Sequence, residues 1–168
     1  MKYFLDTEFI EYPNSIELIS IGIVSEDGKT YYAISSEFNP DNANDWVKEN
    51  VIPKLETDIV RKSINTISKE ILEFIGDDKD ISFWGYYCDY DWVVFCWMFG
   101  IMADLPNGFP MYCKDLQARI QLDQLVFPPR DLGIICSIVG MSHSNPQYTH
   151  FFSYMMIRFR RLNFTCLL

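Results

Sequence analysis

Apolar and polar positions alternate through the first part of the chain, a pattern typical of strands. Residues 3–5 form a short apolar strand, and residues 16–24 form a longer alternating one. The dipeptide Asp27-Gly28 is typical of a two-residue hairpin turn, and residues 30–35 read as a strand after it. The pattern predicts three consecutive strands at the start of the fold.

The apolar spacing becomes helical in the middle of the chain. Residues 43–49 predict a short helix, and residues 57–75 predict a long amphipathic helix that ends before Gly76. Such a helix buries its apolar face against a sheet. The apolar positions of the long helix are Val60, Ile64, Ile67, Ile71 and Ile75.

Strands and helices alternate after that point. Residues 81–84 predict a buried strand, residues 89–100 an almost wholly apolar, buried helix, and residues 109–113 another short strand. Leading strands followed by this alternation predict the α/β class. We expect a mixed sheet with three leading antiparallel strands, flanked by helices.

Composition predicts one domain over residues 1–168. The chain is 49% apolar and 16% aromatic, which is enough for a core, and no linker divides it. With no apolar run of membrane-spanning length and no signal segment, we expect a cytoplasmic protein without a membrane partner. The five cysteines form no CxxC pair, which predicts reduced, mostly buried thiols and no structural zinc.

The charge of the chain limits how it can meet nucleic acid. The formal net charge is -9, from 14 basic and 23 acidic side chains. A surface of this sign does not grip duplex nucleic acid by releasing counterions. Any contact with nucleic acid is therefore expected to be short, local and assisted by metal ions.

The triplet Asp6-Thr7-Glu8 follows the first predicted strand and is the leading candidate for chemistry. Alternation along an extended chain projects Asp6 and Glu8 to the same side, and carboxylate oxygens suit Mg²⁺ or Mn²⁺. Metal-bound carboxylates favour phosphodiester chemistry. The alternative is a solvated turn after an edge strand.

Two later residues extend this hypothesis. Asp91 lies in the first turn of the apolar helix, near the carboxyl edge of the sheet where ligand sites form, although an acid there also stabilises a helix start, with Asp89 as the cap. His150 follows a polar loop and could take a proton from water, although a lone histidine is more often structural.

These residues carry a family resemblance. The opening residues 3–11, with residues 16–22, 51–55 and 112–116 and the pair Tyr90-Asp91, resemble DnaQ-like 3′-5′ exonucleases of the RNase H-like fold. The branch is the DEDDh one, named for four acids and a histidine. The chain is most similar to its small, single-domain, polyadenylate-specific exoribonucleases.

The resemblance implies a role for each matching position. Asp6, Glu8 and Asp91 match metal ligands, with two Mg²⁺ or Mn²⁺ ions expected, and His150 matches the general base. Thr7 and Phe9 match positions that contact the terminal nucleotide. The implied function is release of nucleoside 5′-monophosphates from single-stranded RNA 3′ ends, with DNA as a further candidate substrate and a homodimer as the assembly.

The end of the chain departs from the family. An aspartate is expected five residues after the histidine, where this sequence has Met155, and residues 151–168 contain three arginines and no acid. A frameshift or sequence error in the family's last helix, or divergence of that helix, would explain the tail. Neighbouring Asp123 and Asp131 are interpreted as surface or capping residues.

Three classes of function follow. The first is an exoribonuclease, whose activity the missing acid would impair. The second is a catalytically weakened domain that binds nucleotides or RNA ends. The third is a structural or interaction protein in which the acids coincide by chance.

Overall fold

The structure is a computed structural model that describes residues 1–118. Its strands are β1 (Lys2–Tyr12), β2 (Ser15–Ser25), β3 (Thr30–Ile34), β4 (Ser82–Gly85) and β5 (Lys114–Asp115). Its helices are α1 (Asp45–Asn50), α2 (Ile64–Ile75) and α3 (Asp89–Trp97), with 3-10 turns at Pro40–Asn42, Ile52–Lys54 and Met102–Asp104. The strands form one sheet in the order β3-β2-β1-β4-β5.

The first three strands are antiparallel, as predicted. Strand β1 pairs with β2 along almost its whole length, and β2 pairs with β3 from Ser20↔Ile34 to Val24↔Thr30. A turn is present at the predicted position, with Gly28 at a φ of 93°, where a side chain would be strained. It is longer than the two residues predicted, because the Ser25 amide donates to the Lys29 carbonyl and three residues lie between them. One boundary was wrong: the first strand does not end at residue 5 but continues to Tyr12, with a register shift between Glu8 and Phe9.

The other half of the sheet is parallel and much shorter. Strand β4 pairs with β1 from Lys2↔Ser82 to Phe4↔Trp84, and β5 pairs with β4 at two positions. The strand predicted at residues 109–113 was wrong, because the pairing segment is Lys114–Asp115. The apolar side chains before it, including Phe109, pack on the core without joining the sheet.

Helix α2 begins later than predicted. Its N-cap is Ser63, whose hydroxyl accepts from the Thr66 amide, and Gly76 follows its last residue. The preceding residues are not helical, because Lys62 is extended and bridges to Ser35. Val60 is consequently 77% exposed rather than part of the apolar face. The short helix predicted at residues 43–49 is confirmed as α1.

Helix α3 is less buried than its sequence predicts. It ends at Trp97 rather than at residue 100, and its buried residues include Trp92 and Phe95. Three of its large side chains face solvent: Tyr90 is 47% exposed, Val93 38% and Trp97 48%. The helix therefore has an apolar face directed outward as well as one packed on the sheet.

The sheet has a buried cluster on each face. On one face Tyr3 and Leu5 of β1 pack with α2 and α3, including Ile67, Ile71 and Phe95. On the other face Ile10 packs with Ile19, Ile34 and Val47. Alternation along β1 thus assigns odd and even residues to different layers. In the described part of the chain, no helix has the length and apolarity needed to cross a membrane.

Candidate active site

Asp6 and Glu8 lie within β1 at the level where its neighbour β4 ends. The last β1–β4 pair is Phe4↔Trp84, so the two acids lie just beyond the carboxyl end of β4. They were predicted after a strand end, and the strand that ends there is β4 rather than β1. Asp6 is 7% exposed and Glu8 is 6% exposed, which contradicts a solvated turn.

The two acids share one face of β1. Strand β1 is regular from Asp6↔Gly22 to Glu8↔Ser20, and the register shift comes only after Glu8. Because Tyr3 and Leu5 belong to the layer of α2 and α3, the even-numbered acids project to the opposite face. The sequence predicted this shared side.

Asp91 is joined directly to the residue between the two acids. Its Oδ1 accepts a 2.9 Å hydrogen bond from the backbone amide of Thr7 and a 2.6 Å bond from the Thr7 hydroxyl. The Asp91 side chain is 1% exposed. A buried carboxylate that accepts two bonds holds its partners strongly. The structure therefore fastens the first turn of α3 to β1 at Thr7.

The start of α3 is held on its other side by Asp115. Cys88 is the N-cap residue and makes no side-chain capping bond, so Asp89, predicted as the cap, does not have that role. The Cys88 amide instead donates to Asp115 Oδ2 at 3.2 Å, while Asp115 Oδ1 accepts from the amide of Gln117. Asp115 thereby links β5 to the helix that carries Asp91. Sequence reasoning missed this role, and an acid at the end of a short strand was the available signal.

Gly85 allows the helix start to approach β1 closely. A Cβ at this position would lie 2.5 Å from Cys88 Cβ and 3.2 Å from the Leu5 carbonyl oxygen. The first distance is shorter than side chains tolerate without a shift. The absence of a side chain at Gly85 thus brings Asp91 within reach of Thr7.

Phe9, the next predicted site residue, stacks on Tyr90. The ring centroids are 5.7 Å apart and the planes differ by 17°. Hydrogen bonding to Glu11 and the charge of Glu11 raise the pKa of the Tyr90 hydroxyl. The neighbours Tyr90 and Asp91 therefore contact Phe9 and Thr7 of β1, respectively.

The cysteines near this site are structural. Cys88, Cys96 and Cys113 are free thiols, and Cys88 and Cys96 are buried. Burial raises the pKa of Cys96 to about 11, and a hydrogen bond with Cys88 together with burial raises that of Cys113 well above its usual value. Protonated thiols are poor nucleophiles and metal ligands. The prediction of reduced, mostly buried thiols holds for these three residues.

The acids offer hard oxygen donors of the kind that Mg²⁺ and Mn²⁺ prefer. Asp6 and Glu8 provide such a pair on one face of β1, while Asp91 binds at Thr7 on the edge of the strand. Among residues 1–118, no group of three or more His, Cys, Asp or Glu side chains lies together so that it could hold a metal ion. Asp6 and Glu8 could thus supply two ligands for a cation, and the described residues do not complete the ligand set.

Several predicted positions lie outside the described residues. They are the candidate base His150, the acids Asp123 and Asp131, and Met155 at the position of the missing acid. Of the predicted site residues, the structure brings together Thr7 with Asp91 and places Asp6, Glu8 and Phe9 along the same strand.

The chain has a mixed sheet, and its buried carboxylates lie beyond the end of a parallel strand. This arrangement is typical of α/β proteins that have a site at the carboxyl edge of the sheet. Residues 1–119 match the model of the Rv2179c-like 3′-5′ exoribonuclease domain. The chain belongs to this family.

Named relatives agree with that assignment. The chain is 43% identical over 122 residues to the 3′-5′ exoribonuclease Rv2179c of Mycobacterium tuberculosis strain H37Rv, covering 70% of this chain and 72% of the relative. The same identity and coverage hold for the 3′-5′ exoribonuclease MT2234.1 of strain CDC 1551. These values confirm the exoribonuclease part of the resemblance.

A solved structure supports the fold. The chain is similar to a chain in the structure of the yeast NOT1 MIF4G domain co-crystallized with CAF1, with a TM-score of 0.50 and 14% identity. The similarity covers 95% of this chain and 77% of that one. At this identity the similarity bears on the fold alone.

Proposed function

We propose that this chain is a metal-dependent exoribonuclease of the DnaQ-like DEDDh type, with an RNase H-like fold. It removes nucleoside 5′-monophosphates from the 3′ end of single-stranded RNA and works in the cytoplasm on cellular RNA. The observation that carries the proposal is the pair of buried acids, Asp6 and Glu8, on either side of the residue that binds Asp91. Family membership supports the direction of cleavage.

Asp6, Glu8 and Asp91 are the proposed metal ligands, and two Mg²⁺ or Mn²⁺ ions are the proposed cofactors. When bound, such ions lower the pKa of water and stabilise charge on a leaving oxygen. Asp6 and Glu8 would supply oxygen donors from one face of β1, with the remaining donors coming from Asp91 and from the residues after 118. Acidic clustering that repels RNA in the absence of cations is neutralised once they bind.

The reaction is hydrolysis of the last phosphodiester bond. The oxygen of water bonds to phosphorus, the bond from phosphorus to the 3′ oxygen breaks, and that oxygen receives a proton. His150 is the proposed acceptor of the proton from water. Thr7 holds Asp91 in register with the neighbouring acids through its amide and hydroxyl, and Phe9 stacks against the terminal base.

A second proposal is a weakened domain that binds nucleotides or RNA ends without turnover. Met155 favours it, because it stands where the family resemblance places the final acid. We propose a homodimer as the assembly, and DNA ends as a further candidate substrate. These proposals differ from a structural protein in requiring the acids of β1 for binding or catalysis.

The test is release of 5′-monophosphates from a 3′-labelled single-stranded oligoribonucleotide with Mg²⁺ or Mn²⁺, with a 3′-blocked strand and a DNA strand as controls. Release that Asp6→Ala abolishes supports the exoribonuclease. Silence that Met155→Asp rescues supports the weakened domain. No release and no metal-dependent binding by either chain contradicts both proposals.

A further inference from the structure

A groove runs beside the candidate site, between the turn that joins β1 to β2 and the outer face of α3. It has a volume of about 760 Å³, which lies within the range of small-ligand sites. Pro13 and Asn14 line it from the turn, and Tyr90, Val93 and Trp97 line it from the helix. We refer to this feature as the aromatic groove.

The helix side of the aromatic groove is an exposed stripe. Tyr90, Val93 and Trp97 follow one another at intervals of three and four positions, which places them on one face of α3. The two aromatic rings are about half exposed, at 47% for Tyr90 and 48% for Trp97. From the rise of a helix, Trp97 lies about 10 Å along the axis from Tyr90.

The aromatic groove adjoins Phe9 of the candidate site through Tyr90. Tyr90 adjoins Asp91 in sequence and stacks on Phe9, which is the residue after Glu8. The stacking on Phe9 holds the Tyr90 ring at its face. A strand whose terminal base meets Phe9 would therefore meet Tyr90 next.

The charges around the groove favour one part of a nucleotide. Glu11 and Asp89 are among its lining residues, and among residues 1–118 no Lys or Arg lines it. Phosphate is repelled by such a lining, whereas an uncharged base stacks on aromatic rings whatever its sequence. A base would enter the groove, and its phosphate would remain outside.

We propose that the aromatic groove binds a base of the RNA strand upstream of the terminal nucleotide, by stacking on Tyr90 and Trp97. This inference rests on the proposed exoribonuclease function. It assigns these two side chains to the binding of longer substrates. A second copy of this chain is the competing occupant, and the stacking of Tyr90 on Phe9 favours RNA.

The experiment compares KM and kcat of the full chain on a long single-stranded oligoribonucleotide and on the p-nitrophenyl ester of a nucleoside 5′-monophosphate, which has no upstream base, for Tyr90→Ala, Trp97→Ala and Trp97→Phe. Loss of one stacked base corresponds to about 1–3 kcal/mol, or roughly a 5-fold to 150-fold rise in KM on the long strand. We expect Trp97→Ala to leave hydrolysis of the single-base ester unaffected and Trp97→Phe to retain most of the affinity for the long strand. Tyr112→Ala is the matched control, because Tyr112 is 61% exposed and lies outside the aromatic groove.

Binding of a fluorescent oligoribonucleotide is measured in parallel, so that the two proposals fail separately. If both alanine variants release monophosphate with an unchanged KM, only the proposal that the groove binds a base is overturned. If the chain releases no monophosphate but binds RNA, and Trp97→Ala weakens that binding, the proposed exoribonuclease activity is overturned and the proposed binding of RNA in the groove is retained. Loss of both release and binding in the unmodified chain overturns both. A change in sedimentation of Trp97→Ala without RNA makes the groove an interface between copies and also overturns the proposal.

Discussion

The antiparallel and parallel halves of the sheet are stabilised in different ways. Strands β1, β2 and β3 pair over long ladders that connect neighbouring segments of the chain. The parallel half has a β4 of four residues and a β5 of two, and it depends on individual contacts at Thr7, Gly85 and Asp115. The first half supplies the scaffold and the acid pair, and the second half positions α3 against them.

The two halves of the sheet are therefore expected to contribute differently to stability and to activity. Residues of the ladders and of α2 are buried among many neighbours, so their replacement should reduce stability and leave the geometry at Thr7 intact. Contacts at the start of α3 involve few atoms, so their replacement should reduce activity at a modest cost in stability. The variants below separate the two halves.

The largest effect is expected at the acid pair. Asp6→Asn keeps the shape of the side chain and removes its charge, so monophosphate release should fall at least about 100-fold, the scale of a single catalytic contact. Thermal unfolding should change little. Asp41→Asn, at an exposed turn, is the control and should retain full activity. Equal rates of monophosphate release for the two variants would show that Asp6 does not take part in catalysis.

Ile71→Ala should show the opposite behaviour. Ile71 is fully buried under the sheet, and truncating it should cost about 2–5 kcal/mol of unfolding free energy by leaving a cavity. The rate per folded molecule should remain unchanged, because Ile71 packs on the face of β1 that carries Tyr3 and Leu5, opposite to Asp6 and Glu8. The adjacent Leu72 is 39% exposed, so Leu72→Ala should cost much less. Denaturant titration followed by an assay under folding conditions measures both quantities.

Gly85→Ala should affect both properties. The added methyl group would meet Cys88 Cβ at 2.5 Å, so we expect about 1–3 kcal/mol of destabilisation and displacement of α3. Release should fall because Asp91 moves away from Thr7. Adding Cys88→Gly removes the clashing atom and should restore much of the rate. A double variant no better than Gly85→Ala would show that the close approach is not the cause.

The smallest effect concerns pH and the β2–β3 turn. Hydrogen bonds from Ser25 and then Lys29 lower the pKa of Asp27 to about 2. A lowered folded pKa means that the stabilisation is present above the unfolded value of 3.8 and is lost as pH falls toward about 2. Because Asp27 is partly exposed, the effect should stay below about 1 kcal/mol. Asp27→Asn should reduce the dependence of the unfolding free energy on pH in this window without altering monophosphate release. An unchanged dependence on pH would contradict this role of Asp27.

Local patterns predicted the scaffold well. The three leading strands, the Asp27-Gly28 turn and helix α1 follow from alternation and turn chemistry within short segments. The apolar pattern predicted the wrong boundaries where contacts between distant segments determine the secondary structure. Residues 57–63 are not helical because Lys62 bridges to Ser35, and the last strand lies at Lys114–Asp115 because that segment meets β4.

The site divides in the same way. The shared face of Asp6 and Glu8 follows from alternation, whereas the bonds from Thr7 to Asp91 join residues 84 positions apart. The stacking of Phe9 on Tyr90 was also not predicted, although an aromatic residue beside the candidate acid was a usable signal. Contacts of this kind depend on how α3 docks, which periodicity does not encode.

The central claim is that the contact between Thr7 and Asp91 assembles the catalytic site. The most direct measurement is the rate of monophosphate release by Thr7→Val, with Thr66→Val at the exposed start of α2 as the matched control. We expect a decrease of about 10-fold to 100-fold for Thr7→Val, the effect of removing a bond that orients a ligand, and little change for Thr66→Val. Equal rates in the two variants, with Thr7→Val folded, would contradict it.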